Sequence, residues 1–277
     1  MDARLNWSPL RPFGARIELD CMAPIGDRHI ELLRSLYDAH HLLLFPNQKL
    51  SSEQQVRVSS WFGPIALDKG ATHYSTTDPA LAEMGAAEIT FHSDLSCATE
   101  PLLGISLHAI DVAEEASPTL FIDAMAAAAD LPDSLRNRLE GLHVMNLWPL
   151  KLAERQRRES SPEDWPGAVH PLLKQHPRTG AAILYLNASH TDRIIELSAD
   201  ESENLIQELF GHLYSGAHCY VHRWMNGDLI VWDNLALQHR RPESPRGVPR
   251  TLQRVEIGSN SYAQQMPPEV LEAYGVA

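Results

Sequence analysis

The stretch 221–257 constrains the fold of this chain more than any other part of the sequence. It opens with the apolar-rich run Val221–Trp224, passes through Asn226-Gly227 and resumes a strand pattern over Asp228–Trp232. Asn-Gly between two such runs is a strong signal for a tight turn between antiparallel strands. The pattern therefore predicts a β-hairpin in this part of the chain.

The end of the same stretch carries one histidine and two arginines. His239 follows the predicted hairpin, and Arg250 and Arg254 begin and continue a closing strand that ends at Ile257. Because side chains alternate between the two faces of a strand, residues 250, 252 and 254 point the same way. A histidine beside two arginines on one strand face indicates a metal ligand next to an anion-binding site.

The remaining sequence contains many short strand signals and fewer helix signals. Strand patterns occur at 15–19, 41–45, 87–92, 102–112, 119–123 and 181–186, and helical spacing at 27–41, 51–64, 125–142 and 199–215. This mixture favours a mainly β fold with flanking helices, in which the helices cover one side of a barrel or jelly roll. A doubly wound α/β sheet needs a regular alternation of strands and helices, which this sequence lacks.

The length and the distribution of periodic signals indicate one domain. A chain of 277 residues with 44% hydrophobic residues fits a single domain spanning 1–277. Two segments are predicted to be lid insertions. Segment 65–90 has few periodic signals, and segment 144–167 is centred on a charged, proline-containing run.

The charge and the cysteine content exclude several classes of protein. A net charge of −13 argues against a nucleic-acid or anionic-membrane partner, since both require a basic face. The three cysteines are too few and too scattered for a disulfide framework. The N-terminal residues form no apolar signal region, and no apolar run reaches membrane-spanning length. We therefore expect a cytoplasmic protein that acts on a small molecule and assembles as a homo-oligomer, either a dimer or a tetramer.

Two His-x-Asp triplets are candidate metal ligands. Residues i and i+2 of a strand point the same way, so His-x-Asp at a strand end delivers a histidine and a carboxylate to one side. Two histidines and one carboxylate on one face are typical of iron sites that activate oxygen. The triplet at His92 and Asp94 follows a predicted strand and precedes His239 by most of a domain, whereas the triplet at His190 and Asp192 has no strand-rich segment before His239. The alternative for each is a hydrogen-bonded histidine at a loop end with a carboxylate nearby.

Several motifs in order resemble one enzyme family. The chain is similar, from about Leu42 to Gly258, to the iron(II)- and 2-oxoglutarate-dependent dioxygenases of the taurine / 2,4-dichlorophenoxyacetate dioxygenase family. The similarity rests on LLLFPNQKLSSEQQVRVSSWFGP (42–64), His92-Ser93-Asp94, the segment 101–123, HPLLKQHPRTGAAILYLNASHTDRI (170–194) and HRWMNGDLIVWDNLALQHR (222–240). It implies a double-stranded β-helix, or jelly-roll, core. Phe91 departs from the pattern, since many members of the family have tryptophan there.

The resemblance also implies a role for individual residues. The metal ligands and catalytic residues for Fe(II) would be His92, Asp94 and His239; the residues binding the cosubstrate 2-oxoglutarate would be Thr119, Arg250 and Arg254; and the residues contacting the substrate would be His73 and Arg254. Molecular oxygen would be the second cosubstrate. The triplet at 190–192 would belong to the substrate channel rather than to the iron site.

The activity implied by the resemblance is the oxidation of a substrate C–H bond with release of succinate and CO2. Hydroxylation is the default outcome, and it leads to bond cleavage where the hydroxylated carbon bears a heteroatom. The same machinery also serves desaturation or ring formation. Two other classes remain as alternatives: a non-oxidative jelly-roll metal hydrolase or isomerase, and a metal-containing binding protein without turnover.

The sequence further indicates a small organic anion as the substrate. A second inward-facing arginine in an acidic protein requires an anion to offset its desolvation, and one 2-oxoglutarate does not need both arginines at its distal carboxylate. Arg254 would therefore hold an anionic group of the substrate. The alternative is that Arg254 pairs with a carboxylate of the protein itself.

Overall fold

The computed structural model describes residues 5–66, 73–78, 85–149 and 165–274. The strands in this part of the chain are β1 Asn6–Pro9, β2 Ala15–Glu18, β3 Leu42–Phe45, β4 His73–Thr76, β5 Ile89–His92, β6 Gly104–Val112, β7 Thr119–Asp123, β8 His143–Leu147, β9 Gly167–Pro171, β10 Leu173–Gln175, β11 Ala182–Leu184, β12 Thr191–Ile194, β13 Cys219–His222, β14 Leu229–Asp233, β15 Leu237–Arg241 and β16 Arg250–Ile257. The helices are α1 Asp27–His40, α2 Ser52–Ser59, α3 Ala124–Ala129, α4 Asp133–Leu139, α5 Ala199–Leu213, α6 Tyr262–Gln265 and α7 Pro268–Tyr274.

Two of the sheets form the centre of the molecule. The larger has seven strands in the order β1-β2-β3-β14-β6-β16-β4, and the smaller has four in the order β13-β7-β15-β5. Trp232 of the larger sheet is fully buried against Phe121 of the smaller one, with 5.3 Å between ring centroids in an edge-to-face arrangement. The two sheets therefore enclose one apolar interior. The prediction of a mainly β jelly roll with flanking helices is confirmed.

Strand β3 shows why the sequence contains an uninterrupted apolar run at this point. Leu42 and Leu44 belong to the interior cluster, whereas Leu43 and Phe45 belong to a second buried cluster that includes Leu33 of α1. A strand that is covered on both faces needs apolar residues at every position. The first helices thus cover the outer face of the larger sheet, on the side away from the interior.

The predicted hairpin between 221 and 232 is wrong. The strand before the turn, β13, pairs with β7 of the smaller sheet, and the strand after it, β14, pairs with β3 and β6 of the larger sheet. Gly227 does adopt a positive φ of 86°, so the Asn-Gly signal correctly marked a tight turn. The turn carries the chain from one sheet to the other, since the strands on either side of it pair within different sheets.

One other sequence-based boundary needs correction. The helix predicted over 125–142 is two helices, α3 and α4, which are separated at Pro132. The segments predicted to be lids include strands in their described parts: β4 lies within 65–90, and β8 pairs with β9 across the ends of 144–167, where Leu147 faces Gly167. That the two segments act as lids stays a prediction. The rest of both predicted lids, at 67–72, 79–84 and 150–164, lies outside the described residues. None of the helices that are described has the length and apolarity that crossing a bilayer requires.

Candidate active site

The smaller sheet brings His92, Asp94 and His239 together. His92 ends β5, and His239 lies directly opposite it on the antiparallel neighbour β15. Residues that are paired in this way project from the same face of a sheet. Asp94 follows two positions after His92, and one ligand atom from each of the three residues lies within 4.8 Å of the others. Within the described part of the chain, this is the one such group of histidine, cysteine and acidic side chains able to hold a metal ion.

The two imidazole rings present the same nitrogen to the carboxylate. Nδ1 of His92 donates a hydrogen bond to the backbone oxygen of Thr90 at 2.8 Å, since a carbonyl can only accept. That bond leaves Nε2 as the lone-pair nitrogen, 3.6 Å from Oδ1 of Asp94. Nε2 of His239 lies 3.5 Å from Oδ2 of the same carboxylate. The ring orientation set by Thr90 is the kind of support that metal-binding histidines receive from a second layer of residues.

Asn234 holds Asp94 in place, and sequence reasoning did not identify it. The side-chain oxygen of Asn234 accepts from the backbone N–H of Asp94 at 2.9 Å, and its amide nitrogen donates to the backbone oxygens of Asp94 and Leu102, both at 2.9 Å. Asn234 is fully buried in the turn between β14 and β15. Nothing in the sequence indicated a partner 140 positions away.

Arg250 and Thr119 connect the two sheets beside this cluster. Nη2 of Arg250 donates to the hydroxyl oxygen of Thr119 at 3.0 Å, and Nε of Arg250 donates to the backbone oxygen of Ser117 at 3.1 Å. Thr119 lies two positions before Phe121 on β7, and Phe121 is paired with His239. Two positions along a strand span about 7 Å. The Arg250 side chain therefore lies on the metal-ligand side of the smaller sheet, about 7 Å along β7 from the position that pairs with His239.

Trp224 completes the environment of Thr119, and this residue too was missed. Its indole Nε1–H donates to the hydroxyl oxygen of Thr119 at 2.9 Å. Indole and guanidinium nitrogens only donate, so both acceptor positions of that hydroxyl are used, by Trp224 and by Arg250. The hydroxyl proton of Thr119 then remains available to donate to another group. Trp224 ends an apolar run that resembled a strand in the sequence, although β13 ends at His222. A tryptophan in such a run ordinarily indicates core packing, so the sequence gave no sign of this contact.

The guanidinium of Arg250 is a buried cation that forms no ion pair with a carboxylate among the described residues. Its Nη1 makes no hydrogen bond to any described residue, although Arg250 is only 2% exposed. Burial, together with the charge of Arg241 nearby, lowers the pKa of Arg250 to about 9. A desolvated guanidinium with unused donors is complementary to a carboxylate. Nη1 of Arg250 and the hydroxyl of Thr119 thus supply two unused donors in a dry part of the interior.

Arg254 differs from Arg250 because it has carboxylate partners within the protein. Its Nη2 lies 3.2 Å from Oδ2 of Asp94 and 3.1 Å from Oε1 of Glu256. Burial alone would raise the pKa of Asp94, but the charge of Arg254 lowers it well below its usual value. The argument that Arg254 needs an anion from the substrate therefore does not hold, because the protein itself supplies the partner.

His73 and the second His-x-Asp triplet are also placed by the structure. His73 lies on the edge strand β4 opposite Arg254, with Nε2 3.5 Å from Oε1 of Glu256. His190 is excluded from the three-residue cluster; its Nδ1 is 2.8 Å from the hydroxyl of Ser96, and its ring stands 6.1 Å from that of His92. Asp192 forms an ion pair with the adjacent Arg193. The preference for the triplet at 92–94 agrees with this geometry.

Comparison with known proteins identifies the family. The model of the taurine catabolism dioxygenase TauD, TfdA family matches residues 6–255. The chain belongs to this family. Like its members, it is a 2-oxoglutarate-dependent (α-ketoglutarate-dependent) non-haem iron dioxygenase, with 2-oxoglutarate and O2 as cosubstrates. Family membership decides against the non-oxidative hydrolase or isomerase and against a binding protein without turnover.

The similar proteins of this family cover almost the whole chain. An alpha-ketoglutarate-dependent 2,4-dichlorophenoxyacetate dioxygenase of Cupriavidus pinatubonensis is 29% identical, over 84% of this chain and 90% of the relative. An (S)-phenoxypropionate/alpha-ketoglutarate-dioxygenase of Sphingobium herbicidovorans is 28% identical, over 82% and 85%. A taurine dioxygenase structure from Burkholderia xenovorans superimposes with a TM-score of 0.79 at 21% identity, covering 97% of this chain and 98% of that one. The structure of AAD-2 in complex with Mn(II) and N-oxalylglycine gives the same TM-score at 23% identity, over 95% and 100%.

The residues of this TauD-family chain fit the groups that the family uses. Two imidazoles and one carboxylate on one face are suited to Fe(II) and leave coordination positions for other ligands. The unused donors of Arg250 and Thr119 match a carboxylate, and 2-oxoglutarate carries one at each end. Both fits depend on atoms of this chain: the cluster within 4.8 Å, and the Nη1 of Arg250 that has no hydrogen-bond partner in the described part.

Proposed function

We propose that His92, Asp94 and His239 bind one Fe(II), that Arg250 and Thr119 bind the distal carboxylate of 2-oxoglutarate, and that the enzyme hydroxylates a C–H bond of a small molecule. The observation that carries the assignment of residues is the position of Arg250, whose Nη1 has no hydrogen-bond partner among the described residues. Its partner Thr119 lies two positions along β7 from the residue that pairs with His239. With these groups bound, Fe(II), O2 and 2-oxoglutarate supply the oxidising chemistry. 2-Oxoglutarate loses CO2 and gains one oxygen atom of O2 to become succinate, and the substrate gains the other oxygen atom of O2.

The protein's own contribution is to position the metal ligands and the cosubstrate and to exclude water. Asn234 fixes the backbone of Asp94, and Thr90 fixes the ring of His92, so two of the three ligands are set before any metal arrives. Arg250 and Thr119 present donors that are already desolvated and aimed, which reduces the reorganisation needed on binding. The apolar interior around Phe121 keeps the site dry, and a dry site strengthens each charge–dipole contact within it.

The outcome of the oxidation is proposed to be hydroxylation, with cleavage of the substrate where the new hydroxyl shares its carbon with a heteroatom. Support comes from Asp94, which completes a set of two histidines and one carboxylate. Such a set is typical of iron sites that activate oxygen. The named relatives include dioxygenases of aryloxy acids, which are small organic molecules. A small-molecule substrate is therefore proposed here as well.

The experiment is a turnover assay in which the oxygen atoms are labelled. Metal-free protein is reconstituted with Fe(II), candidate small molecules are screened for 2-oxoglutarate-dependent succinate release, and a hit is turned over under ¹⁸O₂. We expect one iron per chain, one succinate per product, and one ¹⁸O atom in each of succinate and the initial hydroxylated product. A product that lacks the hydroxyl but gains a double bond or a ring would show that desaturation or cyclisation is the reaction. Succinate release that does not require iron would contradict the proposal altogether.

A further inference from the structure

Arg254, Glu256 and His73 form a charged group at the edge of the proposed iron site. Arg254 and Glu256 are two positions apart on β16, so their side chains share the inward face of the strand. Nε and Nη2 of Arg254 lie 3.3 Å and 3.1 Å from the same oxygen, Oε1 of Glu256. His73 lies across from Arg254 on β4 and is 54% exposed, which places this group where the interior meets solvent.

The carboxylate of Glu256 is held in position from several sides. Its Oε2 accepts from the backbone N–H of Tyr262 at 3.2 Å, and its Oε1 also lies 3.5 Å from Nε2 of His73. Burial alone would raise the pKa of Glu256, but the hydrogen bond from His73 and the charge of Arg254 lower it below its usual value. Glu256 is therefore a charged, buried and fixed partner of Arg254.

The balance of charge around Arg254 has a consequence for the substrate. Asp94, the other carboxylate at Arg254, belongs to the proposed metal-ligand set and gives its charge to the metal when the metal is bound. Among the residues that the structure describes, Glu256 then remains as the counter-charge of Arg254. A buried guanidinium that already has such a partner gains little from a second anion, and an incoming carboxylate would also meet the repulsion of Glu256.

We infer that Glu256 is a specificity-determining residue, which neutralises Arg254 so that the substrate group bound at this edge is uncharged or donates a hydrogen bond, and is not a carboxylate or sulfonate. This inference rests on the proposed function of the three-residue iron site. It reverses the expectation of an anionic substrate that the sequence suggested, since that expectation treated Arg254 as an unpaired cation.

The test compares an acid with its neutral amide. 2,4-Dichlorophenoxyacetate and 2,4-dichlorophenoxyacetamide have nearly the same shape and differ in charge. Each is titrated calorimetrically, without oxygen, into protein loaded with Fe(II) and 2-oxoglutarate. We expect the wild type to bind the amide at least as tightly as the acid. We expect Glu256→Gln, which keeps the shape and frees the guanidinium, to bind the acid at least about tenfold more tightly than the wild type does.

Three further variants serve as controls. Glu208→Gln removes the same charge from an exposed surface pair and is expected to leave acid binding unchanged. In the double variant with Arg254→Met and Glu256→Gln, the gain in acid binding should disappear, since it depends on the freed guanidinium. Glu256→Ser serves as a second way to remove the carboxylate if the glutamine variant does not fold.

The outcomes separate this inference from the proposed function. Iron and 2-oxoglutarate binding are measured first in each protein, and their absence from the wild type would refute the proposed function itself. With both bound, a wild type that prefers the acid by about tenfold or more would overturn the inference. Removal of the Glu256 carboxylate without a gain in acid binding, including binding that stays undetectable, would overturn it as well.

Discussion

Replacing Arg250 with methionine tests the proposed cosubstrate site most directly. The guanidinium is 2% exposed and its Nη1 has no partner among the described residues, so a carboxylate bound there would make a fully desolvated contact. Removing one member of such a buried charge pair costs about 2–5 kcal/mol. Arg250→Met should therefore weaken 2-oxoglutarate binding by about 30-fold or more.

The same change predicts a smaller stabilisation by the cosubstrate. At a concentration of 100 times the wild-type Kd, 2-oxoglutarate should stabilise the wild-type protein by about 2.7 kcal/mol. With a 30-fold weaker Kd, the same concentration should stabilise Arg250→Met by only about 0.9 kcal/mol. A thermal melt of each iron-loaded protein, with and without 2-oxoglutarate and in the absence of oxygen, measures this difference.

The assay also has a ligand control and a variant control. 2-Oxopentanoate has the keto-acid end of 2-oxoglutarate but a methyl group in place of the distal carboxylate, so its binding should be almost unchanged by Arg250→Met. Arg138→Met removes an arginine from an exposed surface pair with Glu208 and should leave both ligands unaffected. An Arg250→Met protein that binds 2-oxoglutarate as tightly as the wild type does would refute the placement of the distal carboxylate.

Three other predictions concern residues around the same site. His239→Ala should lose iron and turnover, because two ligands hold Fe(II) poorly against water, whereas His190→Ala should keep its iron; equal iron content in both variants, measured by atomic absorption, would contradict the assignment. Asn234→Ala should weaken metal affinity by about 10- to 100-fold, as measured by competition with a chelator, because it frees the backbone of a ligand; unchanged affinity would show that Asn234 only closes a turn. Trp224→Phe should weaken 2-oxoglutarate binding by about two- to tenfold, because one hydrogen bond that orients Thr119 is lost, and should leave 2-oxopentanoate binding as it is; a parallel loss for both ligands would indicate general damage to the interior.

Local sequence signals predicted most helices and strands of this fold, but they did not predict which strands pair with each other. The helix predicted over 51–64 begins at a capping box of Ser51 and Gln54, and both hydrogen bonds of that box are present at the start of α2. The Asn-Gly turn was also correctly placed, but the strands on either side of it pair with distant parts of the chain. A turn motif determines the backbone over a few residues, whereas strand pairing depends on which surfaces are buried together.

The residues proposed to bind iron and cosubstrate were visible in the sequence, but the residues that position them were not. His92 and Asp94 formed one of two His-x-Asp candidates, and the resemblance to the family selected them together with His239. Asn234 and Trp224 occur in positions where a turn and a core would also place them. Their functional contacts cross 140 and 105 positions of sequence. No local pattern carries that information.

The two arginines of β16 show most clearly what the sequence determined and what the tertiary structure determined. The sequence by itself determined that Arg250 and Arg254 lie on one face of one strand, because side chains alternate along a strand whatever lies around it. Only the tertiary structure decided their different roles. It places Arg250 beside Thr119, with no carboxylate in the described part of the chain to balance it, and Arg254 beside Asp94 and Glu256. The physical reason is that the effect of a buried charge depends on its partners and its hydration, and packing brings those together from distant parts of the chain.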